Sequence, residues 1–284
     1  MRTVAIFGVG LIGGSFALAL RKAGYGGTII GVSSAATIAR AVELGAIDEG
    51  MAPADAAGQA DLVFLAQPIT VIIETIQRIA PWVRRNVFVT DAGSTKAAIV
   101  AAAREHLPAG VFMGGHPMAG REQRGVEAAC SELFQGRVWA FTPLQAEDLA
   151  RERFREFLQW VERIGASPAV LDAAEHDRMA ALTSHLPQLA STTLAATLQG
   201  AFAGGAPALY GPGLTDMTRL AMSSYEIWAD IFATNRENVS AALEAWLAVL
   251  LELRAALAHG RDADIRKVFA RAELFAASVR KRIQ

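Results

Sequence analysis

The sequence predicts an α/β domain built on a mostly parallel sheet, followed by a second domain that is entirely helical. Three observations support this prediction. In the first half of the chain, short apolar segments alternate with segments of helical periodicity. Strand signals end near residue 171, and only helical periodicity follows. At 284 residues the chain also exceeds what one hydrophobic core usually organises, so we expect two domains, 1–172 and 173–284.

The first predicted domain alternates strands with helices. The predicted strands are short apolar runs: Val4–Phe7, Thr28–Val32, Leu62–Ala66, Val87–Thr90, Val111–Met113, Val138–Phe141 and Ala169–Leu171. The helices predicted between them are Ser15–Ala23, Ala35–Leu44, Val71–Ile79 and Arg151–Ile164. Apolar strands that alternate with helices are typical of a parallel sheet covered on both faces. Such sheets bind ligands at the carboxyl ends of their strands.

The second predicted domain contains one long helix and an uncharged stretch before it. From Tyr225 to Leu257, apolar residues recur at spacings of three and four. Residues 179–215 contain no Asp, Glu, Lys or Arg but do contain several polar side chains. Polar groups are costly to bury without partners, so such a cluster usually faces a cavity. The stretch therefore predicts a buried helix with a polar site inside it.

Charge and composition narrow the classes of partner. The formal net charge is -1, so no basic field attracts nucleic-acid phosphates or anionic lipid, and we expect neither a nucleic acid nor a membrane as partner. Hydrophobic residues make up 52% and charged residues 19%, which predicts extensive burial, including a subunit interface. Cys130 is the only cysteine. A single cysteine rules out an intrachain disulfide and a cysteine-based metal cluster, and it suits a reducing cytoplasm.

A glycine-rich turn follows the first predicted strand. Gly8, Gly10 and Gly13 have the spacing G-x-G-x-x-G. This spacing permits a tight turn, a close approach of the backbone to a pyrophosphate and close packing of helix on strand. The pyrophosphate would lie at the N-terminus of the next helix, where N–H groups and the helix dipole favour negative charge. The turn predicts a dinucleotide-binding domain of the Rossmann type, with cofactor contacts at Gly8, Gly10, Leu11, Ile12 and Gly13.

The end of the second predicted strand bears on the choice between NAD and NADP. NAD-specific sites usually place an acidic residue about 20 positions after the last glycine, where it binds the ribose 2′-hydroxyl. Ser33 occupies that position here. The hydroxyls of Ser33, Ser34 and Thr37 could instead donate hydrogen bonds to a 2′-phosphate. The sequence favours NADP and leaves NAD open, because no arginine directly follows Ser33.

Two polar segments that follow predicted strands supply candidate catalytic residues. His116 lies in the glycine-rich segment Gly114–Gly120. Removing an alcohol proton while hydride leaves requires a base with a pKa near neutrality, which suits histidine. Ser94, in the segment Asp91–Lys96, could hydrogen-bond the reacting hydroxyl. Capping of the following helix is an equally good interpretation of Ser94.

Candidate substrate-binding residues lie in the predicted helical domain. His185 and Gln188 stand within the uncharged stretch, and Arg219 follows its end. The planar guanidinium of Arg219 could hold a substrate carboxylate through two hydrogen bonds. An ion pair with Asp216 or another acid is the alternative interpretation of Arg219.

In these segments the chain resembles the prephenate and arogenate dehydrogenases of tyrosine biosynthesis. The resemblance spans nearly the whole chain and rests on several ordered motifs. They are Gly8–Gly13, Asp91–Lys96, Gly114–Gly120, Ser184–Pro187, and Asp216–Arg219 with Trp228–Phe232 and Asn235–Asn238 downstream. The resemblance implies a homodimer built through the helical domains, with the site in a cleft between the domains.

The resemblance also implies the reaction. The ring carbon that bears the hydroxyl is oxidised, hydride passes to NAD(P), and the ring carboxylate leaves as CO2. Prephenate would give 4-hydroxyphenylpyruvate, and arogenate would give tyrosine. The resemblance implies that His116 accepts the hydroxyl proton, that Ser94 orients the hydroxyl and the histidine, and that Arg219 holds a substrate carboxylate. His185 and Gln188 would line the same pocket.

Two features depart from the family's pattern. Members that prefer prephenate often carry a second histidine where this chain has Gln188, so the choice between prephenate and arogenate stays open. Some relatives pair a basic residue four positions before the arginine with an acid that follows the catalytic segment. This chain has Thr215 and Glu122 at those positions, so a gating pair of this kind would need another partner.

Two other functions are compatible with parts of the sequence. A hydroxy-acid dehydrogenase or an imine reductase also combines a Rossmann domain with a helical dimer domain. The hydroxy-acid enzymes typically use a lysine on a helix of the second domain, and the uncharged stretch offers none. A non-enzymatic dinucleotide sensor would need the glycine turn but would not need His116, Ser94 and Arg219 together.

Overall fold

A computed structural model of the chain describes residues 1–121, 123–202, 205 and 207–281. The chain divides into two compact units, Met1–Arg236 and Glu237–Gln284. The first unit contains the sheet, the helices that cover it and the beginning of the long helix. The second unit contains the rest of the long helix and the helix that follows it.

The described residues form one eight-stranded sheet in the first unit. Its strands are β1 (Thr3–Phe7), β2 (Thr28–Val32), β3 (Glu49–Gly50), β4 (Leu62–Leu65), β5 (Phe88–Asp91), β6 (Phe112–Pro117), β7 (Val138–Pro143) and β8 (Ser167–Val170). Their order is β3-β2-β1-β4-β5-β6-β7-β8. All neighbouring pairs are parallel except β6 and β7. The strand order changes direction between β1 and β4, and open α/β sheets bind ligands beside such a point.

Along the chain, the described α-helices occur between the strands and after the last strand. They are α1 (Leu11–Lys22), α2 (Ala35–Glu43), α3 (Pro53–Gln59), α4 (Ile69–Ile79), α5 (Ala97–His106), α6 (Glu152–Arg163), α7 (Ala173–Ala180), α8 (Leu186–Ala201), α9 (Pro212–Thr218), α10 (Tyr225–Ala258) and α11 (Asp262–Lys281). A π-helical turn, Ala181–His185, joins α7 to α8. At Asn235 the backbone of α10 is non-helical (φ -138°, ψ 26°), so the helix is kinked there.

Side chains are buried on both faces of the sheet. On one face, the ring of Phe16 lies 4.5 Å from that of Phe64 and 5.8 Å from that of Trp139. On the other face, Val63 belongs to a cluster that includes Ile72 of α4. Adjacent residues of β4 therefore point into different cores, which explains why this strand is apolar at every position.

The structure confirms the predicted fold class and each predicted strand, with differences of a few residues at the strand ends. The elements β3 and α3 were not predicted, and α5 was anticipated only through the capping interpretation of Ser94, without bounds. Helix α5 carries alanine at five of its ten positions, and β3 has only two residues. Small side chains and short length both weaken the apolar periodicity on which the prediction depends.

The second unit exposes a large apolar surface. Glu252 of α10 accepts a hydrogen bond from Arg271 of α11 at 2.8 Å. Several large apolar side chains of these two helices are exposed: Leu247, Leu250, Leu251, Leu257, Phe269, Leu274 and Phe275. An exposed apolar surface of this extent is typical of a face that another protein surface covers. None of the described helices is both long enough and apolar enough to span a bilayer.

Candidate active site

The turn between β1 and α1 has the geometry that a dinucleotide requires. Gly8 has a φ of +89°, and a Cβ there would lie 2.5 Å from the carbonyl oxygen of Ala66. A Cβ on Gly13 would lie 2.1 Å from the carbonyl oxygen of Gly8. A Cβ on Gly10, in contrast, would meet no described atom within 4 Å. Protein packing therefore requires glycine at positions 8 and 13, whereas Gly10 borders open space.

The first turn of α1 offers backbone donors to an anion. Gly10 is the N-cap residue, and no side chain caps the helix there. The first N–H groups of a helix have no acceptor within the helix, so those of Leu11, Ile12 and Gly13 remain for a ligand. A pyrophosphate suits both this set of donors and the space beside Gly10.

The end of β2 carries hydroxyls and no carboxylate at the predicted position. Ser33 is exposed directly after β2. Ser34 is the N-cap of α2 and accepts a hydrogen bond from the N–H of Thr37, and the two hydroxyls lie 2.9 Å apart. Arg40 forms an ion pair with Glu43 at 2.8 Å. The Ser34 hydroxyl thus caps α2, the Thr37 hydroxyl is hydrogen-bonded to it, and Ser33 is exposed to solvent.

His116 lies near the carboxyl end of β6 and contacts a second histidine. Its side chain is buried, and its Nδ1 atom lies 2.9 Å from Nε2 of His176 in α7. The two rings meet edge to face with centroids 5.1 Å apart. The single hydrogen bond of the His116 ring to the described part of the chain is made through Nδ1.

A carboxylate continues the chain of hydrogen bonds from His176. Oδ1 of Asp177 lies 2.8 Å from Nδ1 of His176. The same carboxylate accepts hydrogen bonds from the N–H groups of Lys96 at 2.6 Å and Ala97 at 2.9 Å. These two N–H groups begin α5, so Asp177 caps one helix while it belongs to another. His116, His176 and Asp177 therefore form a line that ends on a helix N-terminus.

The peptide before His116 is held from both sides. Asp91 accepts a hydrogen bond from the N–H of Gly115 at 3.0 Å, and Lys96 donates one to the carbonyl oxygen of Gly115 at 2.7 Å. Asp91 and Lys96 also form an ion pair with both side chains fully buried. A Cβ on Gly115 would lie 2.5 Å from the carbonyl oxygen of Asp91, so only glycine fits between them.

The surroundings of His116 keep it neutral at pH 7. Burial lowers the pKa of His116 well below its ordinary value of 6.5. Three neighbouring basic side chains act in the same direction: His176, Lys96 and His185. Burial also lowers the pKa of Lys96, and the ion pair with Asp91 opposes that shift. A neutral imidazole at this position can accept a proton.

Ser94 lies in the loop between β5 and α5 and is half-buried. The capping interpretation of Ser94 is wrong, because the N-cap residue of α5 is Lys96 and the capping carboxylate comes from Asp177. Thr95, the next residue, is buried, and its hydroxyl lies 2.7 Å from that of Thr234 in α10. This loop therefore connects the sheet with α7 and α10.

His185 ends the π-helical turn and is buried against α10. Its ring packs edge to face on Trp228, with centroids 5.9 Å apart, and its Nδ1 atom lies 3.4 Å from Nδ2 of Asn235. Asn235 also donates a hydrogen bond to the carbonyl oxygen of Asp177 at 2.8 Å. Burial lowers the pKa of His185 to about 4. The kink in α10 thus places an amide beside both His185 and the end of α7.

Gln188 connects α8 with the turn that begins at Arg219. Its side-chain amide is buried and donates hydrogen bonds to the carbonyl oxygen of Leu220 at 2.8 Å and to Thr192 at 3.1 Å. Arg219 is exposed and begins a short 3-10 helix, Arg219–Met222. These contacts direct Gln188 to the Arg219 turn rather than to the histidines. Glu122, where the family pattern has its gating acid, lies outside the described residues.

Sequence reasoning gave no role to several residues that the structure places around His116. His176 and Asp177 were not identified, and Asp91, Lys96 and Asn235 were noted only as parts of motifs. His176 is 60 positions from His116, and Asp177 is 80 positions from Ala97. The adjacent pair His176-Asp177, just after the last predicted strand, was the one local signal, because both side chains are costly to bury without partners.

Comparisons with known proteins agree with this geometry. Residues 16–169 match the family model for the prephenate dehydrogenase nucleotide-binding domain, and residues 172–271 match the one for the prephenate dehydrogenase dimerization domain. The first match confirms the predicted dinucleotide-binding domain, and the second supports dimerisation through the helical part of the chain.

Individual relatives point in the same direction. A prephenate dehydrogenase of Lactococcus lactis is 33% identical over 84% of this chain, which spans 66% of that protein, just under two thirds of its length. A cyclohexadienyl dehydrogenase of Zymomonas mobilis is 31% identical, over 92% of this chain and 90% of its own length. The crystal structure of A. aeolicus prephenate dehydrogenase with hydroxyphenyl propionate and NAD+ has a TM-score of 0.88 and 31% identity, covering 98% of both chains. The resemblance inferred from the motifs is confirmed, and the chain belongs to the prephenate dehydrogenase family of oxidoreductases.

Proposed function

We propose that this protein catalyses the oxidative decarboxylation of prephenate, arogenate or both, with hydride transfer to NAD(P). The products are 4-hydroxyphenylpyruvate from prephenate and tyrosine from arogenate. The observation that carries the proposal is His116, a buried and neutral imidazole near the carboxyl end of β6, in a chain that belongs to this family.

His116 acts as the general base. It takes the proton of the ring hydroxyl while hydrogen leaves the same carbon as hydride, and it returns the proton to the phenolate that forms when the ring carboxylate leaves as CO2. The bound nicotinamide supplies the hydride acceptor. The sequence pattern predicted a base with a pKa near neutrality, whereas burial lowers the pKa of His116 well below its ordinary value. The imidazole is therefore a weaker base than expected, but it is unprotonated at neutral pH and can accept the proton when the substrate binds.

The remaining predicted residues take binding roles. Ser94, half-buried after β5, orients the substrate hydroxyl towards His116, and His185 lines the pocket. Arg219 holds a substrate carboxylate through its guanidinium. Gln188 supports this contact indirectly, because its hydrogen bond to the carbonyl oxygen of Leu220 holds the turn that carries Arg219.

NADP is the preferred cofactor in this proposal. No carboxylate stands at Ser33 to bind a ribose 2′-hydroxyl or to repel a 2′-phosphate. Ser33 is exposed, and the hydroxyls of Ser34 and Thr37 lie at the N-terminus of α2, where the helix dipole favours a negatively charged group.

We also propose a division of labour along the chain and a homodimer. Residues 1–172 bind the dinucleotide, and residues 173–284 hold the substrate and form the dimer. The apolar surface of α10 and α11 supports the second assignment, because a partner subunit would remove it from water.

A four-way steady-state assay tests the proposal. Purified protein is incubated with prephenate or arogenate, each with NAD or NADP, and the absorbance of the reduced nicotinamide is followed. We expect turnover with at least one substrate and a higher kcat/KM with NADP. Absence of turnover in all four combinations would contradict the proposed reaction. A higher kcat/KM with NAD would contradict the cofactor preference alone.

The role of Arg219 has its own test. Arg219→Ala should raise the KM for the substrate far more than the KM for the cofactor, because the guanidinium contacts the substrate carboxylate and not the cofactor. Gln188→Leu, which removes the amide that holds the Leu220 carbonyl, should raise the same KM by a smaller factor. Equal effects of Arg219→Ala on both KM values would indicate a purely structural ion pair.

A further inference from the structure

In the line His116, His176 and Asp177, the carboxylate of Asp177 can only accept hydrogen bonds, and this determines which atom donates in each bond of the line. Asp177 carries no proton as a carboxylate, so the bond between its Oδ1 and His176 requires a proton on Nδ1 of His176. A neutral His176 then has a bare Nε2. The bond between Nε2 of His176 and Nδ1 of His116 in turn requires a proton on Nδ1 of His116. Each step determines the next one.

We propose that His176 and Asp177 are positioning residues that hold His116 in the tautomer with Nδ1 protonated, so that Nε2 is the atom that accepts the substrate proton. This inference rests on the proposed role of His116 as the base. It adds which nitrogen reacts and which residues select it. A neutral histidine has two tautomers of similar energy, and the hydrogen bond at one nitrogen decides the state of the other.

The carboxylate at the end of the line is held firmly. Asp177 accepts three hydrogen bonds, from His176, from the N–H of Lys96 and from the N–H of Ala97. The latter two belong to the N-terminus of α5, which favours negative charge. These two N–H groups donate to the carboxylate and fix its orientation, so its Oδ1 atom is placed to accept from His176.

The same arrangement stabilises His116 after it has accepted the proton. The imidazolium then carries protons on both nitrogens, and Nδ1 keeps its bond to His176. The positive charge is opposed by Asp177 through the His176 ring. Lys96 also acts on His116, and its charge is balanced by the buried ion pair with Asp91. His185, on the π-helical turn, also acts electrostatically on His116 and lowers its pKa.

The first test reads the tautomers directly and needs no substrate. The chain contains five histidines, so the ring signals of 15N-histidine-labelled protein can be assigned by single substitutions. Long-range 1H–15N correlation spectra at pH 7 should show His116 and His176 both protonated at Nδ1 and bare at Nε2. A proton on Nε2 of either ring would overturn the proposal.

The second test uses two amides of different reach. In His176→Gln, the side-chain oxygen can take the place of Nε2 and accept from Nδ1 of His116. In His176→Asn, the shorter side chain reaches only the place of Nδ1. We expect His176→Asn to lower kcat by about 10- to 100-fold with little change in KM. His176→Gln should recover most of the lost kcat, and its His116 should keep the proton on Nδ1.

Matched measurements separate this role from a structural one. The thermal midpoint and the affinity for NAD(P)H are compared for both variants, with His106→Gln, at the far end of α5, as the control that keeps wild-type activity. Equal kcat values for the Gln and Asn variants would overturn the proposal. It would also be overturned if the loss of kcat in each variant were matched by a corresponding loss of thermal midpoint. If the wild-type protein turned over neither substrate, the proposed function would fail, while the tautomer spectra would still decide the state of His116.

Discussion

The glycine turn at residues 8–13 and the His116 cluster, formed by His116, His176, Asp177, Asp91 and Lys96, are both assigned to the proposed reaction but are built in different ways. In the turn, the requirement is steric and local: Gly8 and Gly13 lie five positions apart, and a Cβ on either would meet backbone. In the cluster, the requirement is electrostatic and distributed. His116 depends on His176, which is 60 positions away, and Asp177 depends on N–H groups that are about 80 positions away.

This difference teaches what each region tolerates. The shape of the turn depends on the absence of side chains at Gly8 and Gly13, and no ionisable side chain takes part in these two contacts. The cluster buries two histidines, two carboxylates and a lysine, and each is tolerated because the others satisfy it. We therefore expect substitutions in the cluster to have large effects on chemistry and stability, and expect Gly10 to affect ligand binding alone.

The largest expected effect is on catalysis. His116→Asn should lower kcat by about 10²- to 10⁴-fold, the contribution typical of a general base. The affinity for NAD(P)H, measured by fluorescence titration, should remain close to that of the wild type, because the turn is a separate structure. Unchanged turnover would remove His116 from the mechanism.

The next effect is on stability. Lys96→Met leaves Asp91 buried without its cation, which should lower the free energy of unfolding by about 3–5 kcal/mol. The double variant Asp91→Asn/Lys96→Met removes both charges and should recover part of that loss. Urea unfolding followed by circular dichroism measures both. A Lys96→Met variant as stable as the wild type would show that the cluster does not depend on this ion pair.

A third effect concerns pH. The pKa of His185 is about 4 in the folded protein and near 6.5 when unfolded, so the unfolded chain binds more protons between these values. Stability from neutral His185 is therefore present above pH 6.5 and is lost as pH falls towards 4. The loss is on the order of 3 kcal/mol. His185→Leu should remove this component from the pH dependence of urea unfolding, whereas His106→Gln should retain it.

The smallest expected effect is on cofactor binding at the glycine turn, where Gly10 borders the space for the ligand and Gly13 packs against the protein. Gly10→Ala should weaken NAD(P)H binding roughly tenfold, about 1.4 kcal/mol, because the methyl group would meet only a bound pyrophosphate. Its unfolding midpoint should not change. Gly13→Ala is the matched variant, since its Cβ would meet the Gly8 carbonyl, and it should lower both binding and midpoint. Wild-type binding by Gly10→Ala would place the pyrophosphate elsewhere.

The local features of the chain could be predicted from the sequence. Apolar runs predicted the strands from β1 to β8 except the two-residue β3. The signal is clearest in β4, where burial on both faces requires an apolar side chain at each position. The glycine spacing predicted the turn, and the order of the motifs predicted the family. The same reasoning gave no bounds for α5, whose alanines conceal its buried face, although α5 supplies the N–H groups that hold Asp177.

The sequence by itself determined the fold class, the dinucleotide turn and the candidate base His116, because each depends on residues close together in the chain. Only the tertiary structure decided which groups surround that base. The partners of His116 come from β5, the start of α5, α7 and the π-helical turn, and no periodicity or spacing brings these segments together. Packing of α7 against this part of the sheet places the Asp177 carboxylate against His176 and His176 against His116. These contacts determine how His116 is held.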